Sequence, residues 1–401
     1  MNNIDKYLPV FYSGKELKAK LTRLPEYKAS QRLLTAEQRL LLLDNLYEIY
    51  LPTKMSFEIY SKLYIALSRS LNKKLSIDAV RQRNENHRMI QNVRSNGLIG
   101  GADSILITGT AGIGKTSAIS NAVSLLSGSI IDTEETKIIP VLMVQCPFDC
   151  SVKGMLVEII KRVDSILDTD YSQFIYNRGM TTDVLIGIVS QVTLNHIGVL
   201  IIDEIQNVVK SRQGVNLVGA LTQLINCSGT SIVMVGTPES RDFFEREEFF
   251  ARRALGMFFD YIQYGEEFSE LANTELKYNY TRRKASIDES IYVWIYEHTK
   301  GLPSNVTALI HDAQELAILR GSEEINIETL NQAFSERLTA LHSYIDVKPV
   351  KVRNTRTKSN VAYKPHIYSS QEKDFSLISL CREHKNDIVS ALQEYVEVVE
   401  V

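Results

Sequence analysis

No apolar run in the chain approaches the length of a bilayer span. The longest, "GVLIIDE" and "IVMVG", have the length of strands, which excludes membrane-spanning helices from the expected architecture. Cysteine is scarce: Cys146, Cys150, Cys227 and Cys381 are scattered through apolar segments. Cys146 and Cys150 flank a proline, and no second Cys/His pair stands at zinc spacing, so neither a metal centre nor a disulfide framework is expected. The opening "MNNIDKYLPV" lacks the basic-then-apolar pattern of a secretory leader. Reduced, buried thiols, no membrane and a cytoplasmic location are the expectation. Low-complexity tracts and internal repeats are also missing. With 44% apolar and 23% charged residues, disordered and collagen-like classes are excluded as well.

What is present is length and an uneven charge. At 401 residues, two or three domains are expected rather than one core. The net charge of -3 hides a gradient: the first hundred residues sum to roughly +8 and the remainder to roughly -11. A second basic stretch, "VKPVKVRNTRTKSNVAYKPH", lies near the C-terminus. Such patches suit nucleic acid or acidic partners, and an ordinary solvated surface is the competing reading.

Residues 1–95 read as a basic helical region, with three-to-four apolar spacing in "TAEQRLLLLDNLYEIYL" and "SFEIYSKLYIALSRSLNKK". "RSNGLIGGAD" breaks the pattern as a boundary. Over residues 96–265, strand-like segments ("SILITG", "IIPVLMVQC", "GVLIID", "TSIVMVG") alternate with helical ones, which predicts a parallel α/β sheet flanked by helices. Residues 266–344 read as a small helical domain, and residues 345–401 as a basic linker followed by one possible helix.

The segment "GTAGIGKT" directly follows the strand-like "ILIT" and completes GxxxxGK[ST]. Glycines allow the backbone of Gly109, Thr110, Ala111, Gly112, Ile113 and Gly114 to wrap phosphates, whose charge meets the helix N-terminus at Lys115, Thr116 and Ser117. Lys115 supplies a point charge to the β- and γ-phosphates, and the Thr116 hydroxyl a ligand for Mg²⁺. In "GVLIIDEIQN", two carboxylates emerge where a buried strand ends. Asp203 is expected to hold the Mg²⁺, and Glu204 to polarise the attacking water. Together these predict ATP as ligand and its hydrolysis as reaction. Thr237, ending "SIVMVGT", is a candidate sensor of the γ-phosphate, with a plain Gly-Thr-Pro turn as the competing reading. Arg252 and Arg253 in "FFARRALG" are candidates for an arginine finger presented to a neighbouring subunit, against a surface-charge reading.

A P-loop, an Asp-Glu strand end, a threonine sensor, an arginine pair and a helical lid, in that order, resemble the AAA+ ATPases. More closely, "ILITGTAGIGKTSAI", "GVLIIDEIQNVVKSRQG", "IVMVGTPESRDFFE" and "ARRALG" resemble the TnsC/TniB regulators of Tn7-like transposons. The resemblance spans roughly residues 50 to 340. It implies an AAA+ fold and a DNA-binding ATPase that forms a ring or helical filament of its own copies on double-stranded DNA. It further implies that the assembly links a TniQ/TnsD-type target selector to TnsA/TnsB-type transposase subunits. Family DNA contacts follow the second strand, where this chain has "QCPFDCSVKGMLVEIIKR"; Lys153 matches best, with Lys161 and Arg162 further on. Contacts of this kind follow phosphates and do not read bases. Many AAA+ proteins place an arginine at the start of a lid helix, where this chain has Ser304 and Asn305, and slow intrinsic hydrolysis is expected from that departure. A replication initiator or loader with the same core is the alternative expectation.

Overall fold

The computed structural model describes residues 6–75, 104–133, 136–175, 181–211, 214–241, 254–284 and 288–339. Six strands form one sheet: β1 (Ser104–Gly109), β2 (Ile131–Asp132), β3 (Lys137–Gln145), β4 (Ile197–Asp203), β5 (Ser231–Gly236) and β6 (Ala254–Phe259), in the order β2-β3-β4-β5-β1-β6. All pairings are parallel except β2 with β3. This is the α/β P-loop sheet expected from the alternation. Each central strand is a nearly continuous apolar run, with its few polar residues near the ends, because both its faces are covered. Alternate residues serve opposite cores. Ile105, Ile107, Val199, Ile201, Val233 and Val235 enter one, and Leu106, Leu200, Ile202, Ile232 and Met234 the other.

Among the described residues, the helices are α1 (Gly14–Leu21), α2 (Ala36–Leu42), α3 (Asn45–Glu48), α4 (Lys54–Lys74), α5 (Lys115–Leu126), α6 (Val152–Leu167), α7 (Tyr171–Ile175), α8 (Thr182–His196), α9 (Asn207–Lys210), α10 (Gly214–Ser228), α11 (Glu266–Lys277), α12 (Glu289–Thr299), α13 (Pro303–Arg320) and α14 (Ile327–Glu336). Helices α6, α8 and α10 cover one face of the sheet. The other face carries α4 and α5, and its core runs on without a break into α1 and the lid helices α11 to α14.

The N-terminal region differs from its expected form in two ways. "TAEQRLLLLDNLYEIYL" is two short helices rather than one. Four consecutive leucines cannot share one helix face; Leu41 is 76% exposed, while a turn after Leu42 buries both Leu43 and Leu46. Some of the basic charge is also structural. Arg39 is fully buried, donating twice to the Glu323 carboxylate at 2.6 and 2.7 Å and once to the Tyr280 carbonyl at 3.0 Å. Lys74 is 1% exposed and its ammonium group donates to the Thr193 and Leu194 carbonyls and to the Thr230 hydroxyl. It thereby adds a cationic donor to carbonyls in the last turn of α8, of which Thr193 also accepts from the Ile197 amide. Lys18 pairs with Glu270 at 2.7 Å, and the Lys54 amide donates to Glu267 at 2.8 Å, which ties the N-terminal helices to α11.

Helix α11 is the longest of the elements not read from the sequence; the others include β2, α7 and α9. Its apolar positions Phe268, Leu271, Ala272 and Leu276 have helical spacing and are buried. The signal was present in "EEFSELANTELK" but was masked by four glutamates.

Candidate active site

The first turn of α5 is built for an anion. Its N-cap is Gly114, in the left-handed region at φ 92, so no side chain caps the turn. The orphan amides at the helix start are therefore left for a ligand. Lys115 folds back over the loop, its ammonium group donating to the Gly109 carbonyl at 2.6 Å and the Thr110 carbonyl at 3.1 Å. Burial pulls the Lys115 ammonium below its ordinary pKa, and the Asp203, Glu204 and Glu239 carboxylates oppose that shift. Phosphate oxygens are stronger acceptors for the same cation than these carbonyls.

Strand β4 delivers the acidic pair. Asp203 is 4% exposed and accepts from the Thr116 hydroxyl at 3.1 Å through one oxygen and from the Glu204 amide at 2.8 Å through the other. The Thr116 hydroxyl and Asp203 carboxylate are hard oxygen donors in contact, a pairing that fits Mg²⁺ bound with retained waters. When bound there, the ion would neutralise charge on the phosphates. Glu204 lies in the left-handed region at φ 59, unusual for a residue with a side chain. Such a conformation costs about 1–3 kcal/mol and recurs at functional sites.

Gln206, which sequence reasoning passed over, organises this end of the site. Its amide nitrogen donates to the Glu204 carboxylate, and its carbonyl oxygen accepts from the Thr237 amide at 3.3 Å. One side chain thus joins the candidate base to the candidate sensor, which directly follows β5, the strand between β4 and the P-loop strand β1. No motif marked this residue; the link exists only because β4 and β5 end side by side.

The lid closes the site from a third direction. The Ser304 amide, at the start of α13, donates to the Gly112 carbonyl at 3.2 Å. Gly112 sits at φ 86, and a β-carbon there would run into the Ser304 hydroxyl, so the two backbones meet only because this residue is glycine. Ser304 thus forms a backbone latch between the start of α13 and the P-loop. All of these groups border a cavity of about 550 Å³, in the range typical of small-molecule sites. Ala111 to Ser117, Asp203, Glu204, Thr237 and Ser304 line it, together with Ile49, Tyr50, Leu51, Pro52, Leu271, Glu275 and Thr307.

The remaining candidates fall elsewhere. Lys153, Lys161 and Arg162 are exposed on α6, and Arg162 already pairs with Glu158 at 3.0 Å. Lys153 follows the turn 146–151, which is tied to the acidic strand end. The Cys146 amide donates to the Asp203 carbonyl at 2.8 Å, the Asn207 side chain to the Cys146 carbonyl at 3.1 Å, and the Ser211 hydroxyl to the Asp149 carbonyl at 3.1 Å. Phe148 in this turn is 86% exposed. Arg252, Arg253 and the tail from 345 lie outside the described residues. Burial raises the thiols of Cys146, Cys150 and Cys227, which leaves none of them poised as a thiolate. Among the described residues no helix is long and apolar enough to cross a membrane.

Residues 96–244 match a family model described as an AAA domain. No curated protein matches the chain. Solved structures similar to it include the ORC2 protein of Aeropyrum pernix in ADPNP-ADP complexes, at 16% identity and a TM-score of 0.43 over 66% of this chain and 69% of that one. A Drosophila ORC bound to DNA matches at 13% identity and 0.42, over 73% and 69%. A Thermotoga maritima RuvB matches at 12% identity and 0.36, over 84% of each chain. The domain match and the geometry of Lys115, Thr116, Asp203 and Glu204 together support ATPase activity. Residues 96–244 form an AAA-type P-loop ATPase domain.

Proposed function

We propose that the protein is an ATP-driven assembly switch that forms a ring or filament of its own copies on double-stranded DNA and regulates transposition. The carrying observation is the chain of contacts from Glu204 through Gln206 to Thr237, beside a turn, 146–151, whose Cys146 amide donates to the Asp203 carbonyl and which precedes Lys153. The turn 146–151, bonded to the Asp203 carbonyl, therefore lies between the acidic strand end and the exposed Lys153 at the start of α6. ATP binding stabilises whichever state holds it, so a site shared between protomers would convert ATP into association. Arg252 and Arg253 are the proposed donors from the neighbouring protomer.

The transposition reading rests on the sequence blocks around the P-loop, Asp203-Glu204 and "ARRALG". It assigns the TniQ/TnsD-type selector and the TnsA/TnsB-type transposase as partners, with residues 345–401 reaching the transposase. The replication initiator or loader reading shares every residue of the site, and the ORC and RuvB structures are similar to this chain in fold only.

Electron microscopy with duplex DNA, Mg²⁺ and a non-hydrolysable ATP analogue tests the assembly. A protein that stays monomeric under those conditions would sink both DNA readings. Deleting residues from 346 onward separates them further. The transposition reading expects assembly on DNA to survive and transposase recruitment to be lost; loss of assembly itself assigns the tail a structural role.

A further inference from the structure

The chain from Arg23 to Tyr50 is a loop closed at its base. The Arg23 amide donates to the Tyr50 carbonyl and the Tyr50 amide to the Arg23 carbonyl, each at 2.9 Å. That base stands on the P-loop helix, where the Arg23 guanidinium donates to the Ser124 hydroxyl of α5 at 3.2 Å. The body of the loop reaches the lid. The Tyr27 hydroxyl donates to the Asn279 carbonyl at 2.8 Å, and the Arg32 guanidinium to the Thr281 and Arg282 carbonyls at 3.1 and 2.6 Å. The Asn45 side-chain amide donates to the Tyr280 hydroxyl at 3.0 Å, and the Tyr278 hydroxyl donates back to the Pro25 carbonyl at 2.9 Å. With the buried Arg39–Glu323 pair, these contacts converge on residues 278–282 and 323 of the lid. We infer that this loop is a clasp that holds the lid against the P-loop helix and sets the rate at which nucleotide enters and leaves. The inference rests on reading the cavity as a nucleoside triphosphate site.

Placement supports the assignment. The returning end of the loop lines the cavity with Tyr47, Ile49 and Tyr50, and the lid borders the same cavity with Leu271, Ser304 and Thr307. One segment therefore touches the cavity, the helix that begins at the P-loop, and the lid. The Ser304–Gly112 latch joins the lid to the P-loop by one amide–carbonyl bond, a modest restraint on its own. The clasp adds attachments along residues 278–282, where the lid turns from α11 towards α12. Most of its acceptors on the lid are backbone carbonyls, so the clasp grips the path of the lid chain itself. Favouring the closed lid slows passage in both directions, since a ligand enters and leaves through the same open state. Among the described residues, those bordering the cavity do not include Arg23, Tyr27 or Arg32. Changes at these three positions thus alter the clasp without altering contacts to the ligand.

The test is stopped-flow binding and release of a fluorescent ATP analogue by the full-length protein with Mg²⁺. Arg32→Ala loosens the lid end of the clasp. Arg23→Pro opens its base by removing both the Ser124 bond and the amide given to Tyr50; Thr22 is already extended, as the residue before a proline prefers. Each variant is expected to raise association and dissociation rates together, by roughly three- to tenfold, with the dissociation constant within about twofold of the wild type. The double variant is expected to exceed the faster single one by no more than about twofold, because a clasp opened at one end holds nothing at the other. Unchanged rates in a folded Arg32→Ala protein overturn the inference. So do single-variant factors that multiply in the double variant, or a weaker dissociation constant with an unchanged association rate; either result assigns the loop ordinary packing. Should Arg23→Pro fail to fold, Tyr27→Phe, which deletes one hydroxyl, replaces it, and the same rise in both rates is required of it. A wild type that does not bind the analogue removes the nucleotide reading itself, whereas binding with unaltered kinetics in the variants removes the clasp alone.

Discussion

Gln206 holds Glu204 through a side-chain hydrogen bond while accepting from the Thr237 amide at 3.3 Å. A carboxylate that must place a water cannot rotate freely, and Gln206 restricts it. Glu204→Gln is expected to lower the hydrolysis rate by roughly 10²–10⁴-fold with ATP binding retained. Gln206→Ala should cost roughly tenfold in kcat with KM within about twofold, because it positions the base without supplying it. Steady-state phosphate release checks both. Equal rates for Gln206→Ala and the parent protein would assign Gln206 no part in placing Glu204.

The Arg39–Glu323 pair links the N-terminal helices to the lid across 284 positions of chain. Arg39 is fully buried, so losing the partner strands a cation, and Glu323→Ala should destabilise by about 3–5 kcal/mol. The Arg39 guanidinium holds the Glu323 carboxyl below its ordinary value of 4.5. A depressed carboxylate contributes stability that is complete above 4.5 and is lost as the pH falls through the lowered value. Urea titrations from pH 7 to pH 3 are expected to show that acid-side loss in the parent and a smaller one in Glu323→Ala.

Glu275 titrates with the opposite sign. Its folded value of about 8 exceeds the 4.5 of an exposed glutamate. Between these values the folded chain holds a proton that the unfolded chain has released. The group's contribution is complete below 4.5 and declines as the pH rises through about 8. Melting of the nucleotide-free protein should fall by a few degrees from pH 5 to pH 8, and Glu275→Gln should flatten that slope. An identical slope in both proteins would place the titration elsewhere.

Lys153 is exposed at the start of α6, and Arg162 is engaged by Glu158. Lys153→Ala is therefore expected to weaken duplex binding and reduce the salt slope by about one counterion per protomer. Arg162→Ala should change the slope by less, and neither should alter ATP hydrolysis measured without DNA. Fluorescence anisotropy across a salt series decides the order; a larger effect at Arg162 would move the DNA contact along the helix.

Much of the site was legible because it is local. The P-loop needs glycines, a lysine and a hydroxyl within eight consecutive positions, and a strand that ends in Asp203-Glu204 shows its buried run and its acids together. The sheet was equally readable, since a parallel strand covered on both faces reads as a nearly continuous apolar run. Non-local features were hidden. Arg39 and Lys74 looked like surface charge in a basic segment, and only packing showed that each satisfies acceptors far along the chain.

Sequence alone thus determined the phosphate-binding loop, the acidic strand end and the layered α/β architecture, all of which depend on near neighbours and periodicity. Tertiary structure alone decided that Gln206 bridges Glu204 to Thr237, that Ser304 latches to Gly112, and that Glu275 is buried at the cavity with one oxygen unpaired among the described residues. The physical reason is the same in each case. These are hydrogen bonds between segments that meet only when strands align and the lid packs down, and no spacing along the chain encodes which donor will find which acceptor.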